Sequence, residues 1–181
     1  MLLISLGSCE KDDFDYFHPK ENPNFNNGMI NSYSHDVVLQ WNELLSQSID
    51  NSMPLPAESK IYAMVSLAIH DALNNVVPKY ETYALSNRNV DASDITKKNI
   101  HSIADAAVSQ AARDMMAQLV PASTAAADER LNEVLASIED SELKTRGIKI
   151  GKDAAAAVLA KRANDFPLRF DDSGSSKYRD Y

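Results

Sequence analysis

Residues 56–76 read PAESKIYAMVSLAIHDALNNV. Ile61, Met64, Val65, Ala68, Ile69, Ala72, Leu73 and Val76 recur three and four residues apart, which is the spacing of an α-helix. Together they cover most of the helix circumference, and a helix apolar nearly all round is expected at the centre of a bundle. Pro56 suits the first turn, where the missing N–H has no intrahelical partner anyway. Pro78 ends the helix.

Other helices flank this one. Ser34 is a good N-cap for a first helix whose apolar face is Val37, Val38, Trp41, Leu44, Leu45 and Ile49. Met53-Pro54-Leu55-Pro56 separates it from the second. After the second helix comes a loop over 79–96, with Asp94 or Thr96 placed to cap a third helix. That helix carries Ile100, Ile103, Ala104, Ala107, Val108, Ala111, Met115 and Leu119 and stops at Pro121. A fourth begins near Ser123 or Thr124 and bears Leu131, Val134, Leu135 and Ile138 against a charged face. Ser141 caps a fifth, with Ile148, Ala154, Ala155, Val158 and Leu159 inward. Gly147, Gly151 and Ala155 fall at i, i+4 and i+8. Each glycine costs about 1 kcal/mol of helix propensity, so close approach of another helix is the expected compensation. The fold class is therefore all-α, a bundle of about five helices over 34–166.

Composition agrees. The chain has 181 residues, 44% hydrophobic and 24% charged, with few glycines and prolines. Its 18 basic and 26 acidic residues give a net charge of −8. That balance argues against a nucleic-acid partner, which needs clustered Lys and Arg. The pair Lys97-Lys98 reads as a solvated face. No apolar run reaches the about 18–20 residues of a membrane-spanning helix.

The single cysteine cannot form an internal disulfide. Its position is more informative. Residues 1–9, MLLISLGSC, are a short apolar stretch ending in small residues before Cys9. Leu6-Gly7-Ser8-Cys9 resembles a bacterial lipobox, in which the cysteine is lipidated and the preceding peptide removed. The apolar part is short and lacks basic residues before it, as in a truncated signal. Glu10-Lys11-Asp12-Asp13 resembles the sorting signal of surface-exposed lipoproteins. The expected location is thus the bacterial cell envelope, through lipid on Cys9. Residues 10–33, rich in Asn, Asp and Pro, read as a tether or strap. Residues 167–181 form a polar tail.

The titratable residues offer little chemistry. His18 and His35 lie outside or at the edge of the helical block, and His101 lies on the third helix. His70 and Asp71 sit mid-helix, where adjacent residues point about 100° apart and do not face one substrate jointly. The ordinary reading is a buried histidine and a hydrogen-bonded aspartate that pin a helix crossing; the rival is an acid–base pair. No zinc-type, di-iron-type or phosphate-loop motif is present. Asp165 and Asp171-Asp172 lack the glycines of a calcium loop. No catalytic, cofactor-binding or metal-ligating residue is assigned.

Three stretches, in order, resemble one family. They are Val37-Val38-Leu39-Gln40-Trp41-Asn42; Ala63-Met64-Val65 through His70-Asp71-Ala72-Leu73-Asn74 with Pro78-Lys79-Tyr80-Glu81-Thr82-Tyr83; and Arg146-Gly147-Ile148-Lys149-Ile150-Gly151 with Ala154–Ala157 and Arg162-Ala163-Asn164-Asp165. Together they are similar to the N-terminal helical part of the vanadium-dependent haloperoxidases and their relatives in the type 2 phosphatidic-acid-phosphatase superfamily. Ser66 departs from it, since relatives often carry histidine there, a difference expected to affect packing.

The resemblance implies the helical half of a larger haloperoxidase-like fold. In such enzymes Lys, Arg and backbone amides hold vanadate or a substrate phosphate, and a histidine bonds vanadium or attacks phosphorus. A multiply charged oxyanion needs such bidentate cations and oriented donors. The family signature has a lysine, six residues, then Arg-Pro, followed by Ser-Gly-His and a later histidine. None of this occurs in the 181 residues. The chain is therefore expected to be a non-catalytic helical domain, inactive alone, of a haloperoxidase-like or acid-phosphatase-like lipoprotein. Its vanadate or phosphate site would lie beyond Tyr181. The expected partners are that missing C-terminal catalytic domain, a second copy in a homodimer, and the membrane through the lipid. The resemblance also predicts exposed apolar surface where the missing half docks. The alternative is a self-contained helical-bundle binding lipoprotein without enzyme activity.

Overall fold

The computed structural model describes residues 33–49 and 53–165. Cys9, the other residues of the 1–9 signal, 10–32 of the tether, His18, Phe166 and the 167–181 tail lie outside them. The described residues form five α-helices and no strand. These are α1 (Asp36–Ser48), α2 (Leu55–Val76), α3 (Ile100–Leu119), α4 (Thr124–Ser137) and α5 (Glu142–Lys161), with a 3-10 turn at Pro121–Ser123 before α4.

Local signals explain most of the boundaries. Ser141 is the N-cap of α5, its Oγ accepting the Lys144 N–H at 3.2 Å. Pro56 lies in the first turn of α2, and α3 ends just before Pro121. Ser34 Oγ accepts the Asp36 N–H at 3.2 Å, although His35 holds the cap position of α1. Neither Asp94 nor Thr96 caps α3. Its cap is Asn99, whose Oδ1 reaches back to the Thr96 N–H at 2.6 Å. Asp94 instead pairs with Arg146 on α5.

The centre of the bundle is α3, not α2. It is the helix that packs against all four others. Ala104, Ala106, Ala107, Ala111 and Ala112 are at most 1% exposed. Alanines leave room for neighbours on every side, and they add burial without bulk. Trp41, Leu45, Val65, Ile100, Ile103, Met115 and Met116 fill the space between helices. Each such large side chain, fully buried, contributes roughly 1.5–3 kcal/mol.

The tightest crossing is α3 on α5. A Cβ on Gly151 would stand 2.5 Å from the Ala107 carbonyl oxygen and 2.6 Å from Gln110 Cβ. One on Gly147 would run into the Ile103 carbonyl and come within 2.9 Å of Ala106 Cβ. The glycines therefore bring the two backbones together, as their spacing predicts. The fourth helix is thinner in its burial than its sequence stripe suggests. Ala127 and Val134 are its buried residues, while Leu131 and Leu135 are half-buried. It lies on one side of α3, so one narrow stripe suffices.

Candidate functional site

The densest polar constellation lies at the C-terminal end of α2, where it meets the loop 77–99. Asp71 is fully buried. Its Oδ1 accepts the Tyr83 N–H at 2.6 Å, and its Oδ2 accepts the N–H groups of Ala84 and Leu85 at 2.7 and 2.8 Å. Three successive amides converging on one anion form a nest, and they satisfy a buried carboxylate without any cation.

One turn further on, Asn74 Oδ1 accepts the N–H groups of Lys79 and Tyr80 at 3.2 and 2.7 Å. Its amide nitrogen donates to the His70 carbonyl at 2.9 Å. Asn75 donates to the carbonyls of Asp71 and Leu85, at 2.9 and 3.1 Å. From the loop, Asn87 donates to the carbonyls of Asn74 and Tyr80, at 3.2 and 2.8 Å. His70 Nε2 lies 3.0 Å from the Glu81 carbonyl oxygen. A carbonyl only accepts, so Nε2 carries the proton. His70 Nδ1 then faces the Asn74 amide at 3.4 Å, and the ring stacks beside Tyr80.

His70 and Asp71 do not bond to each other, and His70 is half-buried rather than buried. The pair pins a loop rather than a helix crossing. A general base needs a lone pair within reach of a substrate proton. Asp71 is sealed from solvent with both oxygens engaged, and His70 has each ring nitrogen set against a protein group. This arrangement fastens the loop through both side chains.

The far side of the loop is held by α5. Lys161 Nζ lies 4.2 Å above the Tyr83 ring and donates to the Tyr83 carbonyl. Arg162 donates to the Tyr83 hydroxyl at 3.3 Å. Asp165 Oδ2 sits 2.9 Å from Lys60 Nζ and 2.6 Å from an Arg162 nitrogen. Lys60 first, then Arg162, holds the Asp165 carboxyl below the usual carboxylate range. Asp165 thus ties α2 to the end of α5. A shallow groove between the loop and the start of α5 is lined by Asp94, Asn99, Ser141 and Arg146 among others. Its Arg146 is held by Asp94 at 2.9 and 3.1 Å.

Several cations among the described residues are each held by a carboxylate and form no cluster for a vanadate or phosphate. Arg113 faces Asp114 and Asp128, Lys144 faces Asp140, Arg146 faces Asp94, and Lys149 faces Asp153. Cations neutralised one by one do not make an oxyanion pocket. Among the described residues, no group of three or more His, Cys, Asp or Glu is placed to hold a metal ion. No helix among them is long and apolar enough to cross a membrane.

The remaining sequence candidates scatter. His35 is exposed at the start of α1, and Lys97 and Lys98 are exposed on the loop. Ser66 is also exposed, so the departure from the family pattern there touches the surface and not the packing. His101 is half-buried beside Tyr33, with ring centroids 5.4 Å apart. Sequence reading missed the roles of Asn87 and of the Tyr33–Asp105 hydrogen bond, 2.8 Å long. Neither has a local signature, since the partners are 7 to 72 residues away.

Compared with protein-family models, curated proteins and solved structures, the chain matches none of them.

Proposed function

We propose that this chain is the non-catalytic helical domain of a lipoprotein of haloperoxidase-like or acid-phosphatase-like type. Its vanadate- or phosphate-binding site lies outside the chain, in a C-terminal catalytic domain. Lipid on Cys9 holds the protein in the bacterial cell envelope, and a second copy in a homodimer is a further partner. The observation that carries this reading is the Asp71 clamp. Two segments bearing the resemblance, His70–Asn74 and Pro78–Tyr83, are joined by it into one fastening. The fastening gives a structural role to residues that carry the resemblance, in a chain whose sequence holds no Arg-Pro and no Ser-Gly-His.

A second reading is favoured by a different observation. Among the described residues, the large hydrophobic side chains left exposed are Leu39, Leu55 and Tyr80, on α1, at the start of α2 and on the loop. A missing catalytic domain is expected to leave more apolar surface than that. The scarcity fits a self-contained helical-bundle binding lipoprotein.

Sequencing the genomic DNA on both sides of the reading frame tests the first reading against the second. An in-frame continuation past codon 181 that encodes Lys…Arg-Pro, Ser-Gly-His and a later histidine supports the catalytic parent. A stop codon directly after Tyr181 sinks it and leaves the self-contained bundle.

A further inference from the structure

We infer that residues 33–48 form a strap that opens as one unit, before the rest of the bundle, from a polar ladder on α3. The ladder is His101, Asp105 and Ser109, spaced four apart and therefore on one face of the helix. Each rung meets the strap. The Tyr33 ring lies against the His101 ring at 5.4 Å. The Tyr33 hydroxyl donates to Asp105 Oδ1 at 2.8 Å, and Trp41 Nε1 donates to Ser109 Oγ at 2.9 Å.

The helix of the strap packs on α3 more sparsely than α4 does on the same helix. Its principal packing partner is α3 alone, whereas α2, α3 and α5 all pack on one another. Two of its side chains, Trp41 and Leu45, are buried in the core. By contrast, backbone contact at Gly147 and Gly151 locks α5 to α3, and the Asp71 clamp locks α2 to its loop. Units with the fewest buried contacts open first. Neither lipidation of Cys9 nor membership of the family is needed for the strap to open first.

Trp41 is the single tryptophan of the chain, so its fluorescence reports the strap while far-UV circular dichroism is dominated by α2–α5. The test is a urea titration of the full chain followed by both signals. The strap predicts a fluorescence midpoint at lower urea than the dichroism midpoint, which breaks the coincidence that two-state unfolding requires. Tyr33→Phe should lower the fluorescence midpoint by about 0.5 M, as loss of one hydrogen bond allows, and leave the other unmoved. Ser109→Ala should do the same by leaving the indole N–H unpaired, and it serves if the first variant folds poorly. Coincident transitions in the wild type overturn the inference, as does a variant that shifts both midpoints together.

Discussion

Asp71 is a buried carboxylate whose partners are backbone amides and not cations. That makes it sensitive to the smallest change of chemistry. Asp71→Asn keeps the shape but turns one acceptor into a donor that faces an N–H. Charge-assisted bonds are lost and a buried donor is left unpaired, so the variant should lose about 3 kcal/mol of stability. Chemical denaturation reads this directly, and a loss too small to measure would show that the nest does not hold the loop. Asp105 behaves differently. Burial pushes its carboxyl above the ordinary value of 3.8, with the Tyr33 hydrogen bond and the His101 ring opposing the shift. The folded state therefore binds this proton more tightly than the unfolded chain. The Asp105 contribution to stability rises as pH falls through the raised folded value and is complete below 3.8. Asp105→Asn, whose amide oxygen still accepts from Tyr33, removes that contribution. The stability of the wild type relative to Asp105→Asn should thus increase on acidification across that window. A flat difference would contradict the assigned burial effect.

Among the elements, the α3–α5 crossing carries the clearest prediction. Alanine in place of Gly151 gains about 1 kcal/mol of helix propensity. It also places a methyl group 2.5 Å from a main-chain carbonyl, which no rotamer change relieves. Overpacking of this kind costs about 1–3 kcal/mol, and here the backbone must move, so the net effect should be a Tm lower by roughly 3 °C or more. An unchanged or higher Tm would show that the helices separate freely. This crossing was legible in the sequence, because two glycines four apart inside a helix weaken it unless a neighbouring backbone comes close enough to offset the loss. So were the Ser141 cap and the proline-bounded ends of α2 and α3, which are local rules written in neighbouring residues. The central place of α3 was not legible. Its alanines are weakly apolar, and their value lies in what they leave room for. The sequence of α2, with Ile, Val and Leu around its circumference, outweighed them. Part of that circumference covers the loop and not another helix, which is where the buried Asp71, Asn74 and Asn75 belong.

For the whole molecule, the polar side chains mark joints. Tyr33 and Trp41 join α1 to α3, Arg113 joins α3 to α4, and Asp94, Tyr83 and Asp165 join the loop and α2 to α5. Part of the constellation was readable beforehand, since a histidine and an aspartate inside an apolar helix require partners; Asn74 and Asn75 were not singled out. A further part is main-chain N–H groups of the loop, which every residue but proline possesses and no sequence pattern marks. The side chains of this constellation fasten the loop, and we propose that the chain by itself is inactive. The most direct test assays the purified 181-residue protein with vanadate, bromide and peroxide, and separately with a phosphomonoester. Rates equal to the protein-free controls in both assays are predicted, in the wild type and in His70→Ala alike. Turnover in either assay that His70→Ala abolishes in a folded protein would contradict the claim.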